Sequence, residues 1–184
     1  MLSWILLIAL AIIVLKFLYL IIKRLILMCK ISKKIKRQNG NILYSRNPLI
    51  SVFKHDGKTD LCIYLPDREI ELVILTTPLR RVRYHFDVNN KSLELIVERR
   101  AMYVVNHKVP NGFSSMDRVY TIWKSNIDFD ASNNGKEKYI ILNPAPRSVS
   151  RAEGTVLETL GNNDTLVKGV KICGLRWFVE NVIS

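Results

Sequence analysis

The first 29 residues constrain this chain most, because they are almost entirely apolar and contain no acidic side chain. A helix rises about 1.5 Å per residue, so the uninterrupted run from Met1 to Leu15 covers about 22 Å, less than the ~30 Å hydrocarbon core of a bilayer. Continuing through Lys16 to Ile22 gives about 33 Å. The segment can therefore span a membrane only if it accommodates one lysine.

The energetics favour insertion despite that lysine. Fifteen Ile, Leu, Val or Phe side chains lie between Met1 and Ile22, and each favours insertion by roughly 0.3 to 0.6 kcal/mol. A lysine costs about 3 kcal/mol at mid-membrane and less near an end, where its stem carries the ammonium to the headgroups. A cleaved signal peptide is disfavoured because no Lys or Arg precedes Lys16 and no small-residue cleavage site follows. We predict a signal anchor, with a transmembrane helix in residues 1–29 and an early cytoplasmic boundary at 22–24.

Positive charge is concentrated directly after this apolar run. Residues 1–37 contain eight Lys or Arg and no Asp or Glu, whereas the other 147 positions contain 20 basic and 16 acidic residues. The nearest partner for this charge is anionic lipid, so the pI near 9.8 does not indicate nucleic-acid binding. Lys16, Lys23, Lys30 and Arg37 recur at intervals of seven, and we interpret that spacing as incidental.

Residues 30–41 are interpreted as a basic juxtamembrane segment, a short amphipathic helix on the membrane surface with Ile31 and Ile35 on one face and an end near Gly40. An interfacial helix along the whole N-terminus is the alternative, but the pattern is apolar nearly all round up to Cys29. The positive-inside rule predicts an N-terminus outside and a cytoplasmic domain. The predicted contacts with anionic headgroups are Lys23, Arg24, Lys30, Lys33, Lys34, Lys36 and Arg37.

From residue 42 to 184 the pattern becomes alternating, with short segments rich in β-branched and aromatic residues between turn signals. Asn89-Asn90 indicates a hairpin, and Pro144 should end the pairing of the strand before it. Residues 156–160 and 166–173 could form a last hairpin, followed after Gly174 by a short helix packed on the sheet. The predicted strands are 61–65, 69–75, 82–86, 93–97, 102–105, 118–123 and 138–142. We predict a mainly β domain, a sandwich or a barrel.

The side chains that could act in catalysis or metal binding are less informative than the strand pattern. His55, His85 and His107 are far apart and have no metal-ligand spacing, so we predict no catalytic residue, no metal and no cofactor. The strongest surface feature is a group of arginines, expected to converge across a hairpin and able to bind phosphate or an acidic partner. Guarding of a strand edge by charge is the simpler explanation. This arginine patch consists of Arg80, Arg81, Arg83, Arg99 and Arg100.

Two functions follow as hypotheses. The first is a single-pass membrane protein whose β-rich domain is a binding or scaffolding module at the membrane surface, with lipids and a protein as partners and no nucleic acid. The second is a membrane-tethered enzyme that uses the arginine patch with His85 on a phosphorylated or anionic substrate. A pocket joining Arg83, His85, His107 and a carboxylate would favour the enzyme. A flat sheet or groove would favour the binding module.

Overall fold

The computed structural model describes residues 2–49, 57–79, 82–104, 113–126, 136–154, 156–167 and 169–183. Side chains are described for these ranges except at 2–3, 98–104, 113–119 and 122–123. The helices are α1 (Leu2–Arg37) and α2 (Leu175–Asn181), and the strands are β1 (Asn41–Ser45), β2 (Leu61–Leu65), β3 (Arg68–Thr76), β4 (Val82–Asp87), β5 (Ser92–Val104), β6 (Phe113–Asn126), β7 (Glu137–Asn143), β8 (Ser148–Glu153), β9 (Val156–Leu160), β10 (Asp164–Val167) and β11 (Val170–Gly174).

The strands form two mixed sheets. Sheet A has the order β1-β2-β3-β7-β11-β10, and sheet B has the order β6-β5-β4-β8-β9. The pairs β3–β7, β7–β11 and β4–β8 are parallel, and the other pairs are antiparallel. The predicted fold class, an N-terminal helix followed by a mainly β sandwich or barrel and a short C-terminal helix, is confirmed, and the two sheets are consistent with the sandwich.

Sheet A is the middle of three layers. One of its faces packs on sheet B through a core that includes Val73 and Leu75, and the other packs on α1 and α2 through a core that includes Leu72 and Ile74. Strands buried on both faces need apolar side chains at successive positions. This explains the continuous apolar run in β3, where every residue from Leu72 to Thr76 is buried.

The second half of α1 belongs to this third layer. Leu27, Ile31 and Ile35 recur every four residues, so they form one stripe on the helix, and each is at most 2% exposed against sheet A. Ile31 and Ile35 were predicted to share one face of an amphipathic helix at the membrane surface, and in the structure that face packs on sheet A. α1 is one continuous helix from Leu2 to Arg37.

A close backbone contact fixes the end of α1. A Cβ on Gly40 would lie 2.6 Å from the Tyr64 carbonyl oxygen and 2.8 Å from Cγ2 of Ile35, so only glycine fits. Gly40 also donates a backbone hydrogen bond to the Ile35 carbonyl. The chain turns here from the helix into β1, at the edge of sheet A.

The predicted strands agree with the structure in the centre of the domain and differ near the C-terminus. The Asn89-Asn90 hairpin joins β4 and β5. The predicted strands 93–97 and 102–105 lie in one long strand as far as Val104, and residue 105 lies outside the described residues. The predicted last hairpin is wrong, because β9 pairs with β8 in sheet B while β10 pairs with β11 in sheet A. Phe178 and Val182 are buried, as expected for a C-terminal helix on the sheet. The strands β1 and β8 were not predicted.

Candidate functional site at the junction of helix and sheet

The N-terminal part of α1 is exposed on all sides. Every side chain described from Trp4 to Tyr19 is exposed, and the large apolar side chains among them are 38% to 70% exposed. The helix is long and apolar enough to cross a membrane, with a mean hydropathy of 3.1 in its most apolar window. A surface of this kind is stable in lipid and unfavourable in water.

The domain begins within one turn of the end of this apolar segment. The Lys23 Nζ atom donates a hydrogen bond to the Thr77 carbonyl oxygen at 3.2 Å and lies 5.9 Å from the centre of the Tyr19 ring. Thr77 directly follows β3. The end of β3 therefore lies beside Lys23, the first cation after the exposed apolar stretch Trp4 to Tyr19.

Arg24 is completely buried and binds a buried carboxylate. Its Nη2 atom lies 2.6 Å from Oδ1 of Asp60, with the two side chains 1% and 6% exposed. Its Nη1 atom donates to the Ile74 carbonyl oxygen at 2.9 Å, and Oδ2 of Asp60 accepts from the Ile74 backbone N–H at 2.7 Å. We call Lys23, Arg24, Asp60, Ile74 and Thr77 the helix–sheet junction.

The reason for this arrangement lies in sheet A. β2 begins at Leu61, which pairs with Leu72, so Ile74 lies beyond the end of the strand that would satisfy its backbone groups. Buried backbone N–H and C=O groups need hydrogen-bond partners. The Asp60 and Arg24 side chains replace the missing strand. The ion pair therefore completes the sheet and attaches α1 to it.

Arg24 is consequently unable to contact headgroups, which corrects its place among the predicted lipid contacts. Burial raises the pKa of the Asp60 carboxyl, and the Arg24 cation and the Ile74 N–H act in the opposite direction. A charge in such a site needs its partner, because an isolated buried charge is costly. The pair therefore attaches α1 to β3 at Arg24.

The cations of α1 from Lys30 to Arg37 lie beyond the junction along the helix. Lys36 is exposed and lies outside the groove described next. A groove of about 510 Å³ separates α1 from α2. We call it the basic groove, and its lining residues are Lys30, Lys33, Lys34 and Arg37 of α1 and Leu175, Arg176, Val179 and Glu180 of α2. Of the cations that recur every seven residues, Lys23 thus belongs to the junction, Lys30 and Arg37 line the groove, and Lys16 lies in the exposed apolar part of α1.

The predicted arginine patch is described only in part. Arg80 and Arg81 lie outside the described residues, and the side chains of Arg99 and Arg100 are not described, although their backbones pair with Arg118 and Asp117 of β6. Arg83 is half-buried on the outer face of sheet B. Convergence of the five arginines stays a prediction.

His85 lies on the same outer face as Arg83. Its Nδ1 atom is 3.0 Å from the Ser150 hydroxyl. The carboxylate opposite it, Glu94, forms an ion pair with Lys124 at 2.8 Å. His55 and His107 lie outside the described residues. The structure thus shows a half-buried serine–histidine pair on the outer face of sheet B and leaves the other two histidines as predictions.

Within the described ranges, no three His, Cys, Asp or Glu side chains are grouped closely enough to hold a metal ion. Two cysteines are buried in the core region, and burial raises the pKa of the Cys173 thiol to about 12. Cys173 is therefore protonated at neutral pH and a poor nucleophile.

Sequence reasoning missed Asp60, the residue on which the helix–sheet junction depends. The available signal was Arg24, a cation directly after an apolar run and within the buried stripe of α1, since such a charge requires a carboxylate partner. Comparisons of the chain with protein-family models, with curated proteins and with solved structures found no significant match.

Proposed function

We propose that this is a single-pass membrane protein whose β-rich domain is a binding module held at the membrane surface. The observation that carries the proposal is the division of α1, whose first part is exposed and apolar while the part from Lys23 onward is built into the domain. One rigid helix thus serves both as anchor and as a layer of the domain. No flexible linker separates the two.

This arrangement supports a binding role because it fixes the orientation of the domain. The parallel strands β3, β7 and β11 end at Thr76, Asn143 and Gly174, on the side of sheet A where Arg24 and Lys23 lie. That end of the sandwich faces the membrane, and the end near Gly40 points away from it. A partner would meet the same surfaces of the domain in every copy.

The proposed topology places the domain in the cytoplasm, since all eight cations of residues 1–37 lie at or after Lys16. Extraction of membranes with alkaline carbonate should leave the full chain in the pellet. Protease added to intact cells should leave the domain intact, whereas protease added to inverted vesicles should digest it. Release by carbonate would refute the span, and digestion from outside intact cells would refute the orientation.

The membrane-tethered enzyme is the second candidate, and one observation favours it, the 3.0 Å contact between His85 and Ser150. A histidine in this position can act as a general base toward a hydroxyl. Replacing His85 by Gln would then abolish turnover of an anionic ester while leaving membrane association unchanged. Unchanged turnover in the variant would remove this candidate.

A further inference from the structure

We propose that the basic groove binds an acidic, amphipathic segment of a partner protein. The proposal rests on the proposed function, because it names the partner of a module held at the membrane. The groove residues lie outside the apolar segment that forms the proposed anchor. Its basis is the shape and charge of the groove between α1 and α2.

The cations along the groove are arranged for a helical or extended ligand rather than for a single ion. Lys30, Lys33, Lys34 and Arg37 stand at i, i+3, i+4 and i+7 of α1, which places them along one side of two turns of helix, about 10 Å long. Carboxylates that recur at the same spacing on a partner helix would face them in register.

These four cations have no partner of their own among the described residues, where none of them forms a side-chain hydrogen bond or an ion pair. The single carboxylate in the lining, Glu180, accepts from Arg176 Nε at 2.8 Å. Like charges three and four residues apart on a helix repel one another. An incoming acidic segment would relieve that repulsion.

The floor of the groove supplies the apolar part of the site. Leu175 and Val179 are half-buried and line the groove, and they stand on the same helix as Phe178, which is fully buried in the core. A volume of about 510 Å³ is larger than one carboxylate requires and accommodates several side chains. A segment with acidic residues on one side and apolar residues beside them therefore matches both the cations of α1 and the apolar side chains of α2, as in helix-in-groove recognition.

The position of the groove favours a protein over the membrane as the source of the anions. With α1 along the membrane normal, Lys30 lies about 10 Å and Arg37 about 21 Å beyond Lys23, whereas the headgroup region beyond the hydrocarbon is only about 5 to 7 Å thick. Attraction to headgroups is screened over about 8 Å at physiological salt. Lipid headgroups thus reach the near end of the groove and leave Lys34 and Arg37 for a segment in solution.

The test uses the full chain in nanodiscs of neutral lipid and a fluorescent synthetic peptide with four glutamates at i, i+3, i+4 and i+7 beside leucines. Binding is measured by fluorescence anisotropy. The control peptide has the same composition in an order that scatters the glutamates around the helix. We expect the ordered peptide to bind at least about tenfold more tightly than the control peptide, since only it presents its charges to both ends of the groove.

Two single variants form a matched pair, because Lys34 lines the groove and Lys36, two residues further along the same helix, does not. Lys34→Gln should weaken peptide binding about two- to fivefold, the range for one partly exposed ion pair, and Lys36→Gln should leave it unchanged. Val179→Ser should also weaken binding, which a purely electrostatic attraction would not show. Equal effects of Lys34→Gln and Lys36→Gln, or equal binding of the two peptides, would overturn the proposal.

Lipid is tested as the alternative occupant. Nanodiscs that contain phosphatidylserine should bind the peptide nearly as well as neutral ones, whereas loss of binding in them would show that headgroups occupy the groove and would overturn the proposal. The outcome is separable from that of the membrane anchor. A chain that stays in the carbonate pellet but fails to bind the peptide contradicts only the groove, whereas a chain released by carbonate contradicts the proposed function itself, whether or not it binds the peptide.

Discussion

Replacing Arg24 by Met tests whether the buried ion pair joins α1 to the sheet. The substitution keeps most of the volume of the side chain but leaves the Asp60 carboxylate buried without a cation and the Ile74 carbonyl without a donor. Breaking a buried pair in this way costs about 3 to 5 kcal/mol. For a domain of about 150 residues, 1 kcal/mol corresponds to about 2 to 4 °C, so Tm should fall by roughly 6 to 20 °C.

The double variant Arg24→Met with Asp60→Asn separates the charge from the packing. The side-chain amide oxygen that this variant places at position 60 can still accept the Ile74 N–H, and no charge remains buried. We therefore expect it to recover part of the lost stability, with the unpaired Ile74 carbonyl accounting for the remaining deficit of about 1 to 3 kcal/mol. Lys36→Met is the control, since it removes an exposed cation from the same helix and should not change Tm.

The assay is thermal unfolding of the full chain in detergent, followed by circular dichroism in the β region. The pH dependence has a definite sign. Burial raises the folded-state pKa of Asp60, and loss of Arg24 raises it further, so the destabilisation of Arg24→Met should be complete above that pKa and should shrink as the pH falls toward about 4. A Tm within about 4 °C of the unaltered chain at neutral pH, or an equal loss in Lys36→Met, would refute the assignment.

One further substitution and one labelling experiment test other parts of the fold. Gly40→Ala should destabilise the fold by about 1 to 3 kcal/mol, because its Cβ would lie 2.6 Å from a backbone oxygen; a chemical denaturation midpoint equal to that of the unaltered chain would contradict this. Cys173 should not react with a maleimide in the folded chain and should react after unfolding in urea, because it is 2% exposed and its thiol pKa is raised to about 12; mass spectrometry of the labelled peptides would detect the difference.

Much of the sandwich could be predicted because its signals are local. β4 alternates strictly between buried and half-buried residues, and the turn at Asn89-Asn90 lies between two such segments, so pattern and turn chemistry agree. The helix after Gly174 shows the same agreement, with Phe178 and Val182 on its buried side. Where a short-range pattern decides an element, the sequence was sufficient.

The errors come from long-range choices that a local pattern does not contain. The stripe of Ile31 and Ile35 is equally suited to lipid and to a sheet, and only the three-layer packing decides between them. The turn after β9 has ordinary turn residues, including Asp164, whose carboxylate accepts from the Gly161 N–H at 2.6 Å. That turn joins an edge of sheet B to an edge of sheet A, and turn chemistry alone does not distinguish a corner from a hairpin.

The partners at the helix–sheet junction could not be paired from the sequence for the same reason. Arg24 and Asp60 are 36 positions apart, and nothing in either neighbourhood identifies the other. The pair is needed because β2 begins at Leu61, opposite Leu72, and does not extend as far as Ile74. The backbone N–H and C=O of Ile74 therefore have no partner strand on that side. The length of β2 thus determines which of the charges next to the apolar segment is structural.

The cations along α1 therefore have different roles. Lys23 and Arg24 bind the end of β3 and hold the helix in place, whereas Lys30, Lys34 and Arg37 face the groove beside α2. The helix is continuous from the exposed apolar segment to the groove. If α1 is the proposed anchor, a force that tilts or rotates it must either move sheet A with it or break the Arg24–Asp60 pair, which costs about 3 to 5 kcal/mol. Movement of the whole domain would then cost less, and the proposed acidic partner in the groove would move together with the helix.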